Sequence, residues 1–173
     1  LPESYRGSFS PGEALADAGR IARLDAERTI AIDYYRHAGQ AETQAALKIY
    51  HYGEPVSLSR RVPVLENLGF RVISEQTHDI TVHEPGQPPR LVVLHDMELV
   101  NRDGHAIDLA KVGPKLEESF LAAWNGLIED GTFNRLILLA GLTAREVTVL
   151  RAYARYLRQA GITYSQDYIA DTM

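Results

Sequence analysis

The stretch Leu47–Val72, LKIYHYGEPVSLSRRVPVLENLGFRV, decides how this chain folds. Leu47 and Ile49 alternate with Lys48 and Tyr50, the period of a half-buried strand. Gly53 and Pro55 interrupt that pattern and require a turn. A short helix follows, with Val62, Leu65 and Leu68 on one side. Pro63 has no N–H to donate to a carbonyl one turn back. An irregular first turn from Ser59, with Ser57 or Ser59 as the cap, therefore fits better than a start at Val62. Gly69 ends the helix, since glycine accepts the left-handed backbone of a C-terminal cap. Phe70 and Val72 then open a second strand.

Upstream, Leu1 to Phe9 is polar, aromatic and poorly patterned. Ser10-Pro11-Gly12-Glu13 is a capping box with proline at the first helical position. Ala14, Ala18, Ile21 and Ala22 give that helix a thin apolar stripe, which predicts a peripheral position. Thr29–Arg36 places Ile30, Ile32 and Tyr34 on one face of a strand that pairs back, antiparallel, on Leu47–Tyr52. Tyr34, Tyr35, Tyr50 and Tyr52 crowd these strands. Exposed contact and packing beneath the N-terminal helix explain them equally well.

Downstream, Phe70, Val72, Ser74, Gln76, His78, Ile80 and Val82 fall on one face of a long strand. Glu84–Pro89 must turn, and Leu91, Val93, His95, Met97 and Leu99 form the apolar face of a return strand. Matching the two faces pairs Ile80 with Val93, Val82 with Leu91 and His78 with His95, a register that a bulge would shift. Gly113-Pro114 opens a helix with the stripe Leu116, Phe120, Ala123, Trp124, Leu127 and Ile128, ended by Asp130-Gly131. Phe133–Ala140 makes a short apolar helix broken by Gly141. Thr143-Ala144-Arg145-Glu146 is a second capping box, opening a helix with Val147, Leu150, Ala154 and Leu157 inward. Tyr164–Met173 begins one more helix. The reading is a helical arm over 1–27, an α+β domain over 28–130 and a helical segment over 131–173.

Composition narrows the function. The net charge of −5 argues against a nucleic-acid or acidic-membrane partner. The absence of cysteine removes disulfides and thiolate metal sites and is compatible with a reducing cytoplasm. No apolar run approaches the roughly 20 residues that span a bilayer. The chain begins at Leu1 rather than Met, which reads as a piece of something longer.

The order strand, loop, helix, strand, strand, helix resembles a ferredoxin-like ACT domain, a small-molecule sensor. The usual last strand is missing, and the early strand at Ile30–Tyr34 would fill an edge beside Leu47–Tyr52, giving a permuted, antiparallel α+β sheet with helices on one face and a helical tail. By that resemblance Gly53-Glu54-Pro55 stands where ACT domains place an effector-contacting loop. The stretches LKIYHYGEPVSLSRRVPVLENLGFRVI, His95-Asp96, FNRLILLAGLTAREVTVLRAYARYLRQAG and YSQDYIADTM resemble the large, multi-domain bacterial NAD-dependent glutamate dehydrogenases, in the regulatory region ahead of the catalytic domains. The resemblance implies a cytoplasmic, homo-oligomeric parent that binds NAD and deaminates glutamate oxidatively with a lysine and an aspartate. This sequence has no G-x-G-x-x-G after a strand, so neither catalytic residues nor a cofactor site are expected here.

Four groups of residues carry candidate chemistry. His78 and His95, opposite one another in the expected register, could ligate a metal or answer to pH, but no carboxylate shares their face, and a hydrogen-bonded pair under a helix is the simpler reading. Asp96 and Glu98 could act as acid and base, yet alternation turns them to solvent, as edge protection. Arg145 precedes Arg151, Arg155 and Arg158, which share one helix face and read as contacts to other domains of the same polypeptide rather than an anion site. The loop Tyr52, Gly53, Glu54, Pro55, Val56 and Ser57 is the expected effector site, because N–H groups at a helix start can receive an amino-acid carboxylate. A regulatory and assembly segment is thus the first reading and a stand-alone ligand-binding or scaffold module the second; no nucleophile–base constellation supports a hydrolase.

Overall fold

The computed structural model describes residues 2–161 together with Tyr164, Ser165, Tyr168 and Thr172. Two short helices, α1 (Glu3–Ser8) and α2 (Pro11–Ile21), precede strands β1 (Ile30–Tyr35) and β2 (Gln44–Tyr52). Helix α3 (Leu58–Asn67) leads into β3 (Phe70–Val82) and β4 (Arg90–Asn101). Helix α4 (Leu109–Trp124), a 3-10 turn at Thr132–Asn134, α5 (Arg135–Ala140) and α6 (Ala144–Gln159) complete the described fold. The helix expected over Tyr164–Met173 falls on a stretch most of which lies outside the described residues.

The four strands form one antiparallel sheet in the order β1-β2-β4-β3. The early strand therefore takes the edge beside β2, with Ile32 opposite Ile49 and Tyr34 opposite Leu47. This is the permuted, ACT-like α+β arrangement. Ser57 is the N-cap of α3, and Pro63 lies within the helix. Gly69 is required where it stands. Its φ is +95°, and a Cβ there would come within 3.2 Å of Leu138 Cδ2.

One face of the sheet meets α3 to α6. Ile32, Leu47, Ile49, Met97 and Leu99 pack with Leu65, Phe70, Leu116 and Phe120, and Phe133, Ile137, Val147 and Ala154 join the same core. The elements on either side of Asp130 thus share one apolar cluster.

The other face is covered too. The unpatterned N-terminus forms α1, and Tyr5, Phe9, Ile21 and Leu24 pack on Tyr50, Ile80, Val92 and Leu94. β2 is consequently not half-buried as its alternation suggests. Lys48 and Tyr50 are as deeply enclosed as Leu47 and Ile49.

The β3–β4 register also differs from the expected one. Ile80 faces Val92, Val82 faces Arg90 and His78 faces Leu94. A bulge between Val72 and Ser74 is the cause. Phe70 and Val72 precede it and point to the helical side, whereas His78 and Ile80 follow it and point to the arm. A slip of one residue exchanges the faces of every side chain beyond it.

Helix α4 starts a turn earlier than the Gly113-Pro114 signal, because Asp108 caps it by accepting from the Lys111 N–H at 3.2 Å. It ends at Trp124, before Gly126 at φ +70°, so Leu127 is exposed instead of continuing the stripe. Both expected capping boxes, Ser10 with Glu13 and Thr143 with Glu146, are formed. In α6, Val147 and Ala154 are buried as expected, but Arg151 is buried between them and Leu157 is exposed.

Candidate functional site

The loop Tyr52–Ser57 is shaped by the strand before it and the helix after it. Tyr52 ends β2, half-buried, and its N–H donates to the Thr29 carbonyl at 2.8 Å. Gly53, at φ +88°, turns the chain while its N–H donates to the Leu91 carbonyl at 2.9 Å. His51 Nδ1 lies 2.8 Å from the Glu54 carbonyl, and since a carbonyl only accepts, that nitrogen carries the proton. Gly53, Glu54, Pro55 and Ser57 are exposed. Val56 alone turns inward, into the core under the helices. Ser57 does not cap α3 with its side chain, but its carbonyl accepts from the Arg60 and Arg61 N–H groups at 3.2 and 3.3 Å, so of the first turn only the Leu58 and Ser59 N–H groups are left to a ligand. A cavity of about 540 Å³ adjoins the loop, lined by Tyr52, Gly53, Leu24, Arg90 and the turn between β3 and β4.

Beneath the loop lies a closed ring of hydrogen bonds that the sequence did not announce. The Val56 N–H donates to His95 Nε2 at 3.1 Å. His95 Nδ1 donates to Glu75 Oε1 at 2.8 Å. Arg61 pairs with the same carboxylate and also donates to the Val56 carbonyl. Thr77 adds a bond to Glu75 at 3.1 Å. His95 and Arg61 are almost wholly enclosed. Burial holds the imidazole pKa below its ordinary value, with the Arg61 charge acting in the same direction and Glu75 opposing both. Because Nε2 accepts from a backbone N–H, the ring is neutral with its proton on Nδ1.

His78 and His95 are therefore not the facing pair that strand alternation predicts. They lie on opposite sides of the sheet, because His95 pairs with Thr77 while His78 pairs with Leu94. His78 Nδ1 meets Ser4 Oγ at 3.1 Å, and its ring sits edge-on to Tyr5 and Phe9. Its pKa too is pushed down by burial.

Asp96 differs from expectation as well. It is mostly enclosed rather than solvent-facing, and accepts from the Tyr35 hydroxyl at 2.7 Å. Burial raises its pKa. Glu98 is exposed and accepts from Ser74 Oγ at 2.7 Å. Both line a polar cavity of about 480 Å³ with His37, Gln44 and Gln76. Among the described residues no group of three or more histidines and carboxylates could hold a metal ion.

The arginines of α6 divide. Arg151 is buried, donates to Asn134 Oδ1 at 2.8 Å and lies over the Phe133 ring. Arg155 pairs with Glu129, while Arg158 stays exposed.

The largest feature missed in the sequence is on the arm side. Asp17 and Lys48 form an ion pair at 2.8 Å with each side chain 2% exposed. Tyr5 and Tyr50 donate their hydroxyls to the same carboxylate at 2.6 and 2.7 Å, and the Lys48 ammonium lies 3.9 Å from the Phe9 ring centroid. The available signal was Asp17 standing between Ala14, Ala18 and Ile21 on an otherwise apolar stripe.

Taken together, the permuted antiparallel sheet, the glycine loop ahead of α3 and the helices that follow define an ACT-like domain joined to a helical segment. Comparison with known proteins agrees. Residues 29–112 match the glutamate dehydrogenase ACT3 domain, and residues 128–173 match glutamate dehydrogenase helical motif 3. Relatives described as NAD-specific glutamate dehydrogenase align along the chain. That of Halomonas elongata is 37% identical over 173 residues, the whole chain, and that of Pseudomonas aeruginosa is 35% identical over the same length. The protein of Mycobacterium tuberculosis is 30% identical over 176 aligned positions and 99% of this chain. The chain belongs to the NAD-specific glutamate dehydrogenase family, as its ACT3 and helical motif 3 stretch. It spans about 10% of the length of the relatives it matches. No helix among the described residues is long and apolar enough to cross a membrane.

Proposed function

We propose that this chain is a non-catalytic regulatory and assembly segment of an NAD-dependent glutamate dehydrogenase. The parent reaction is oxidative deamination of L-glutamate to 2-oxoglutarate and ammonia, carried out in the cytoplasm by catalytic domains elsewhere in the polypeptide, where NAD binds. The match of 29–112 to the ACT3 domain carries this reading. The segment positions neighbouring domains within a homo-oligomer, with the exposed Arg155 and Arg158 on the helix face toward them. Arg151 supports that face from within, through its hold on Asn134.

Sensing is assigned to the loop Tyr52–Ser57, with an amino acid as effector. Two observations support it. The Leu58 and Ser59 N–H groups at the start of α3, which Ser57 does not cap with its side chain, suit a carboxylate, and a cavity of about 540 Å³ beside Tyr52 and Gly53 has room for a small polar molecule. Calorimetric titration of the chain with the common amino acids tests this. Saturable heat and a raised melting temperature with one of them are expected, and their loss in Gly53→Val assigns the loop. No heat and no thermal shift with any amino acid removes sensing and leaves the assembly role standing.

A further inference from the structure

We infer that His95 is a pH-sensitive latch on the Tyr52–Ser57 loop: its neutral ring holds the Val56 N–H, and protonation lets the loop go. Both polar groups of the Val56 peptide are engaged from below. Its N–H donates to His95 Nε2 at 3.1 Å, and its carbonyl accepts from Arg61. Glu75 closes the ring by accepting from His95 Nδ1 at 2.8 Å and pairing with Arg61. Every bond in this ring has a fixed direction. Nε2 can only accept from an amide N–H while it carries no proton. Protonation makes it a donor, so two N–H groups would face each other at hydrogen-bonding distance inside a core that admits little solvent. The side that gives way is the loop, because His95 sits in the middle of a β4 paired on both sides, whereas Gly53 to Pro55 are exposed.

The charged and titratable groups facing His95 set where this occurs. Glu75 and Thr77 approach from β3, Arg61 from α3 and His51 from β2. Burial, Arg61 and His51 disfavour the imidazolium, and Glu75 alone favours it. The latch is consequently closed at neutral pH and opens only in acid, below the ordinary histidine value of about 6.5. Where the loop acts as the effector site, the consequence is weaker effector binding in acid. That consequence rests on the proposed sensing role, but the latch does not, and its test uses no ligand.

The test follows the Val56 amide by hydrogen exchange, corrected for intrinsic rates, alongside the ¹⁵N signals of the His95 ring in the full chain. At neutral pH the Nε2 signal is expected at the position of an unprotonated nitrogen. As His95 takes up its proton, Val56 protection falls at least tenfold, while Tyr50 and Leu94 in the central strands keep theirs. His95→Gln offers Val56 a carbonyl acceptor that does not titrate, so its loop stays protected in acid. Glu75→Gln removes the one group favouring the imidazolium and moves the release to lower pH. Val56 protection that ignores the His95 titration in the wild-type chain overturns the inference, even were His95→Gln not to fold. So does release that persists in His95→Gln, or release in Glu75→Gln that no longer follows the ¹⁵N titration of the His95 ring.

Discussion

The two faces of the sheet are both buried, but by different chemistry. The helical face is closed by Leu47, Ile49, Leu65, Phe120 and their apolar neighbours. The arm face is closed by a shorter apolar cluster around an ion pair, Asp17 with Lys48, whose carboxylate also accepts from two tyrosines. An apolar core tolerates small shifts of its parts, because dispersion and the hydrophobic effect have no direction. A buried carboxylate with three donors does not, since each lost bond leaves an enclosed polar group unpaired. The contrast teaches that the helical face supplies stability in bulk, whereas the arm face sets where α1 and α2 must lie. The amount of apolar surface available explains the division: α2 is mostly alanine and exposed Leu15 on its nominally apolar residues, so little else could anchor it.

The contrast can be broken at its most demanding point first. Asp17→Ala strands the Lys48 ammonium in the interior and should cost about 3–5 kcal/mol, read from the midpoint of urea unfolding. A loss nearer the roughly 0–1 kcal/mol of an exposed pair would show that the arm face is not held ionically. On the other face, Leu65→Ala should cost about 2–5 kcal/mol as a cavity mutation. Its sign is expected in the fluorescence of Trp124, the one tryptophan, which stacks on Phe120 and under Arg60.

A smaller effect reads the arm face by pH. Burial lowers the His78 pKa, so the unfolded chain takes up that proton first. The stability owed to neutral His78 is complete above about pH 6.5 and is lost as pH falls toward the lowered value. Asp33, Asp96 and Glu117, raised by burial, work in the opposite sense, contributing most in acid and least once pH passes their raised values. The wild-type minus His78→Phe difference in unfolding free energy isolates the histidine, and it should shrink in acid. The smallest changes expected are Ser10→Ala on the arm and Thr143→Ala in α6, each about 1 kcal/mol through loss of a cap, seen as a shift in melting temperature. Equal effects would show that capping is local and indifferent to what the helix packs on.

Much of this was legible in the sequence where the signal is local. The two capping boxes, the stop at Gly69, the loop at Gly53 and the strand pairing of Ile30–Tyr35 with β2 all depend on residues close in the chain or on a simple period of two. The turn at the candidate loop was legible for the same reason, whereas its choice as an effector site came from the ACT resemblance. His95 was singled out, but its partners were not, because Glu75 and Arg61 reach it only after the bulge has turned β3 over. The bulge itself carries no composition signal: Ile73, its extra residue, is as ordinary in a strand as its neighbours.

The sequence by itself determined the order of elements from α2 onward and the position of the glycine loop, because hydrophobic period, glycine and capping residues act over a few residues; the ACT-like sheet followed from that order by resemblance. Only the tertiary structure decided that both faces of the sheet are covered. It also decided that His78 and His95 part company, that Asp96 is enclosed and that Arg151 turns inward. Those outcomes depend on which surfaces distant segments bring together. A polar side chain reads as exposed until a partner from elsewhere in the chain satisfies it, as Asp17 does for Lys48 and His95 does for the loop at Val56.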